Sequence, residues 1–108
     1  MMKTVRSAAA VFALLAAPLA LGAGDAGVGK LKANTCMGCH GIPGYTNAYP
    51  TYRVPKLGGQ SPEYVISALK AYKTGERPHK TMRAQAMSLS DQDIEDIAAF
   101  LAVAPAHK

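Results

Sequence analysis

The chain has 108 residues, 49% of them hydrophobic and 18% charged, with a formal net charge of +5 and two cysteines. A chain of this length makes one domain with little scope for a large core. Its basic excess is too modest, and its aromatics too few, to point to nucleic acid.

The first segment reads as an export leader. Lys3 and Arg6 precede an apolar run of 14 residues, 8–21, and the small-residue stretch Gly22-Ala23-Gly24, the pattern of a cleaved signal peptide. A membrane-spanning helix needs about 20 apolar residues, whereas this run also contains Pro18 and has no charged stop-transfer flank. The expected division is a leader over residues 1–23 and a domain over residues 24–108, with no stable membrane insertion after cleavage. No cysteine follows the run, which argues against a lipid anchor there. Without Lys3 and Arg6, ten basic side chains face seven acidic ones. That balance suits docking to an acidic partner as well as plain solubility.

Residues 28–36 read as a first, short helix, weakened by Gly27 and Gly29 and dependent on packing. It ends in Cys36-Met37-Gly38-Cys39-His40, and Cys-x-x-Cys-His is the attachment signature of a covalent c-type haem. Two cysteines three apart share one face of a helical turn. Both sulfurs can therefore form thioethers on one edge of a porphyrin while the next histidine is held against the iron. A redox dithiol would call for a preceding strand and a βαβ pattern. Zinc would have three ligands with two of them adjacent, a poor match to a tetrahedral ion. With both cysteines given to haem, no thiol remains for a structural disulfide. A buried porphyrin would also give several short helices a common apolar surface, so the chain is expected to be largely unfolded without it.

Residues 41–60 contain Pro43, Pro50 and Pro55 with several glycines and three tyrosines, a composition that suits an ordered loop around a ligand. A second helix follows, with Ser61 as N-cap, Pro62 in the first position, Glu63 at the positive end of the dipole and Gly75 closing it. Val65, Ala68, Leu69 and Tyr72 share its apolar face, and Lys70 and Lys73 are expected toward solvent. Residues 76–89 show no convincing periodicity and read as a second long loop, containing His79, Met82 and Met87. A third helix starts at Ser90, with Asp91, Asp93, Glu95 and Asp96 early and Ile94, Ile97, Ala98 and Leu101 on its apolar face. The expected fold is all-α, with three or more helices and two long connections.

These residues resemble class I cytochrome c, in particular the small bacterial cytochromes of the c-553 kind and the halves of cytochrome c4-like dihaem relatives. The resemblance covers nearly all of residues 24–108. It includes the attachment motif with Gly41, then Val54-Pro55-Lys56-Leu57-Gly58-Gly59-Gln60, Tyr64 through Tyr72, Gly75-Glu76-Arg77, Leu89-Ser90-Asp91-Gln92-Asp93-Ile94 and Ala98-Ala99-Phe100-Leu101. It implies one haem c per chain on Cys36 and Cys39, with iron held by His40 and by a methionine that maps to Met82. A thioether there stabilises ferrous iron and raises the reduction potential. Met87 is then expected as a core filler beneath the third helix, with Met87 and His79 the alternatives for the sixth position. The resemblance further implies that the Pro55 carbonyl accepts the ring N–H of His40, that Leu57 packs on the porphyrin, and that Phe100 crosses the first helix where Gly29 allows close approach. One departure is visible. Lys32 and Ala33 stand where an aromatic is often found, so a thinner crossing is expected. His107 is expected to be solvent-exposed.

The function so implied is a soluble, periplasmic, monomeric monohaem electron carrier and not an enzyme. Its partners would be a membrane cytochrome complex, a terminal oxidase or a periplasmic oxidoreductase, with Arg53, Lys56, Lys80 and Arg83 near the docking edge. Two alternatives stand beside it: a ligand-binding or peroxidase-like haem protein with an open sixth position, and an electron-transfer subunit of a periplasmic dehydrogenase.

Overall fold

The computed structural model describes residues 24–42, 44–46, 51 and 53–105, and the expected leader and His107 lie outside the described residues. Helix α1, Ala26–Lys32, starts at Asp25, whose side chain accepts the Val28 N–H at 3.0 Å. It breaks at Ala33 (φ −78°, ψ 0°) and resumes as α2, Asn34–His40. The expected single helix ending at Cys36 is therefore two helices, and the attachment motif lies inside the second. The break falls at a fully buried residue, where a small side chain lets the chain turn against the core.

Helix α3, Pro62–Thr74, has the expected ends. Ser61 Oγ accepts the Tyr64 N–H at 3.2 Å, Pro62 opens the helix and Gly75, at φ +83°, closes it in the left-handed region. Such a φ carries no Cβ penalty in glycine. Helix α5, Asp91–Val103, begins with a reciprocal capping box. The Asp93 N–H donates to Ser90 Oγ at 3.0 Å, and the Ser90 N–H donates to Asp93 Oδ2 at 2.9 Å.

Residues 76–89 are not a loop throughout, because α4 occupies Lys80–Met87. Most of this segment is made of good helix formers, and Met82 and Ala86, four apart, give it one inward face. Two such positions in eight residues are too few to register as periodicity. Met87 is not a core filler: it is 60% exposed, because it lies more than a quarter of a circle round the helix from the fully buried Ala86. Lys73 also departs from expectation. Its ammonium donates to the Leu89 carbonyl and ties α3 to the segment after α4; Lys70 is exposed.

The core forms where α5 crosses α1 and packs on α3. Ile94, Ile97, Ala98 and Leu101 are buried with Ala33, Val65 and Leu69. A Cβ on Gly29 would lie 1.8 Å from the Asp96 carbonyl oxygen and 3.0 Å from Phe100 Cβ, so only glycine permits this approach. The crossing is not thin, despite the absent aromatic. Lys32 bridges Asp93 at 2.6 Å and Asp96 at 2.7 Å, and Asp96, 3% exposed, also accepts the Asp25 N–H and the Gln92 amide, both at 2.9 Å. Hydrogen bonding to Lys32, then to the Asp25 N–H and Gln92, holds the Asp96 carboxyl down to about 2.

Gly29→Ala should lower stability by about 1–3 kcal/mol, read as a fall in the thermal midpoint of the haem-loaded protein. The Asp96 carboxyl, depressed from 3.8 to about 2, contributes stability that is complete above its unfolded value and is lost as pH falls through its folded value. Asp96→Asn should therefore lower the urea midpoint at neutral pH and flatten its decline between pH 4 and pH 2. An acid limb as steep as the parent's would show that other groups carry it.

Candidate functional site

Helix α2 places Cys36 and Cys39 three residues apart as half-buried free thiols, with His40 next to the second. All three line one cleft. Burial pushes the Cys36 thiol up, the reverse of what an attacking thiolate in a redox dithiol needs. No group of three or more metal-binding side chains converges among the described residues, so the zinc reading finds no support there.

His40 Nδ1 lies 2.7 Å from the Pro55 carbonyl oxygen. A carbonyl only accepts, so Nδ1 carries the hydrogen and donates it, leaving the Nε2 lone pair available. The loop between α2 and α3 holds Pro55 in place from both sides. Upstream, the Val54 N–H donates to the Tyr45 carbonyl at 3.0 Å beside an isolated bridge between Thr46 and Arg53. Downstream, the Gly59 N–H donates to the Leu101 carbonyl at 2.9 Å. Gly58 lies so close to the chain end that a Cβ there would meet the Pro105 carbonyl oxygen at 2.1 Å.

The cleft has a volume of about 540 Å³. Val65 and Leu69 of α3, Ile97 and Leu101 of α5, Leu57 of the loop and Met82 of α4 are among its apolar lining. Leu57 and Met82 are partly buried and also pack on the core. Among the described helices, α2 packs by its backbone only against α1, and α4 only against α3. The space between them is therefore bounded by apolar side chains but is not filled by them. A flat apolar group fits such a space, with two thiols, a histidine and a thioether in its walls.

The cleft also brings together residues whose mutual contacts no local pattern in the sequence indicates. Arg77 Nη1 donates to the Tyr64 hydroxyl at 3.2 Å, and its guanidinium lies 4.8 Å from the Tyr72 ring centroid. Tyr72 meets the His79 ring edge to face at 5.8 Å. The Gly75-Glu76-Arg77 motif was legible, but the pairing of Arg77 with tyrosines one and three turns back on α3 is set by the reversal at Gly75.

A fold of five helices among the described residues, with an attachment pentapeptide on the second and an apolar cleft beside it, defines a haem-binding class of protein. The cytochrome c family model matches residues 26–104. Cytochrome c-554(548) of Halomonas halodenitrificans is 47% identical over 81 residues, which cover 72% of this chain and 94% of that protein. Cytochrome c4 of Pseudomonas aeruginosa is 42% identical over 84 residues, which cover 78% of this chain and 40% of that protein. Among solved structures, cytochrome c4 of Acidithiobacillus ferrooxidans superposes with a TM-score of 0.58 at 31% identity, over 76% of this chain and 49% of that one. The chain thus spans nearly all of one relative and about half or less of the cytochromes c4.

The chain belongs to the cytochrome c family. It is an electron-transfer protein of cytochrome c4-like type with covalently bound haem c, and its two cysteines are those present for the attachment. Cys36→Ala with Cys39→Ala should abolish covalent haem, seen as loss of haem stain on a denaturing gel. The resulting chain should melt without a cooperative transition by far-UV circular dichroism, because α2 and α4 lose their common packing surface.

Proposed function

We propose that the protein is a soluble periplasmic shuttle carrying single electrons between redox proteins, with His40 and Met82 as the two protein ligands of its haem iron. The bound haem supplies one-electron chemistry, its iron alternating between the ferrous and ferric states. The observation that carries this reading is that His40, oriented through Nδ1 by the Pro55 carbonyl, and Met82 line the same apolar cleft from different helices.

Each residue has a distinct task. Thioethers at Cys36 and Cys39 would fix the cofactor to α2. The Pro55 carbonyl holds the His40 ring in one orientation and makes its other nitrogen a better donor. Met82 offers a soft sulfur, which favours the ferrous state and raises the potential. Leu57 and the apolar faces of α3 and α5 exclude water, which keeps the cost of reorganisation small.

The leader pattern of residues 1–23 supports export, and the net basic charge of residues 24–108 supports docking to acidic surfaces. Arg53, Lys56, Lys80 and Arg83 are exposed and lie in or next to the segments that border the cleft. No described helix is long and apolar enough to cross a membrane. The reading is of a carrier and not of an enzyme.

Absorption spectroscopy tests it. The oxidised protein should show a low-spin spectrum with the weak far-red band of sulfur bound to ferric iron. Met82→Ala should remove that band and lower the potential, and Met87→Ala should leave both unchanged. Survival of the band in Met82→Ala would transfer the role to Met87, and a high-spin parent that binds carbon monoxide would favour an open-site haem protein instead.

A further inference from the structure

His79 occupies the N-cap of α4, a position usually taken by Ser, Thr, Asp or Asn. Its Nδ1 accepts the backbone N–H of Met82 at 3.1 Å. That bond falls on the residue read above as the sixth ligand. A helix of eight residues is marginal by itself, so its tethers decide how firmly its first turn stays in place. At the far end, Lys73 holds the Leu89 carbonyl, and in the middle Arg83 lies over Gly75 at the end of α3. At the near end the tether is the histidine ring.

That ring is itself held. Tyr72 meets it edge to face, with the planes at 73°, and the Arg77 guanidinium covers the Tyr72 ring and donates to the Tyr64 hydroxyl. Arg77, Tyr72 and His79 thus form a continuous stack from the exposed rim of the cleft to the backbone of Met82. Because Nδ1 accepts, the hydrogen of the neutral ring is on Nε2. In that tautomer the ring has no second lone pair to offer, so capping α4 and binding iron exclude one another.

We propose that His79 is a positioning residue for Met82: by capping α4 at that residue's own N–H, it sets how readily the Met82 thioether yields its place to an external ligand. The inference rests on the reading of Met82 as the sixth ligand. When imidazole displaces the thioether, one nitrogen-to-iron bond replaces one sulfur-to-iron bond and no electron moves. The first turn of α4 must shift for this to happen, and the cap resists that shift.

The test is imidazole titration of the oxidised, haem-loaded protein at about pH 8, following loss of the far-red band. His79→Ala should retain the band without imidazole but bind imidazole about fivefold more tightly, the scale of a lost N-cap. His79→Asn, which restores a capping oxygen, should stay within about twofold of the parent. Ser61→Ala removes the cap of α3 and should lower the urea midpoint without changing imidazole affinity, which separates positioning from general stability. If His79→Ala does not accumulate, His79→Gln, a poor cap, takes its place with the same expected shift. Equal affinities for the parent and the uncapped variant would overturn the proposal, as would a His79→Asn that binds imidazole as tightly as the alanine variant or a Ser61→Ala shifted as far. A parent without the far-red band would instead overturn the reading of Met82 on which the proposal rests.

Discussion

The approach of Gly29 to the Asp96 carbonyl is the contact on which the other elements depend. It brings α1 onto α5 at backbone distance, and Lys32, one turn on, then reaches both Asp93 and Asp96. Because α2 continues from α1 through the buried Ala33, the angle of that crossing also fixes the direction in which Cys36, Cys39 and His40 face. Among the described helices, α1 alone packs against α2. A side chain at residue 29 would move the attachment motif as well as the core. The ion pairs contribute in proportion to their setting. Lys32 and Asp93 are partly solvated and hold modestly, whereas Asp96 has most of its hydrogen-bonding capacity satisfied in a buried position.

Much of this was legible in the chain. The ends of α3 and the start of α5 follow from Ser61-Pro62, Gly75 and Ser90, where the local chemistry of capping decides the outcome without help from tertiary structure. The apolar face of α5 follows from spacing alone. The close approach at Gly29 and the His40 to Pro55 bond agree with what the family resemblance implied, although no rule of spacing would have paired residues fifteen apart across a proline-rich loop.

What was not legible has physical reasons. Helix α4 is too short for periodicity to declare itself, and its cap is a histidine, which single-residue preferences do not place there. The exposure of Met87 has the same origin, since a methionine on an outward position of a helix and one in a loop over the core have opposite expected burial. Lys73 reads as a surface charge because its spacing on α3 points outward, yet its long side chain reaches the Leu89 carbonyl. The replacement of an aromatic by Lys32 suggested a weaker crossing. Its carboxylate partners come from the far end of the chain, beyond the reach of any local pattern.

That separation has a kinetic side. Asp96 bonds to Asp25 and Lys32 across 71 and 64 positions of sequence, so the central crossing is among the most non-local contacts the domain could make. Closing loops of that span costs entropy before any contact repays it. A chain emerging from its N-terminus displays Cys36, Cys39 and His40 well before the helix that will brace them has been made. During that interval the contacts through which α5 braces α1, and through it the pentapeptide, cannot form. The long-range contact that braces the finished protein is thus made later than the motif it braces.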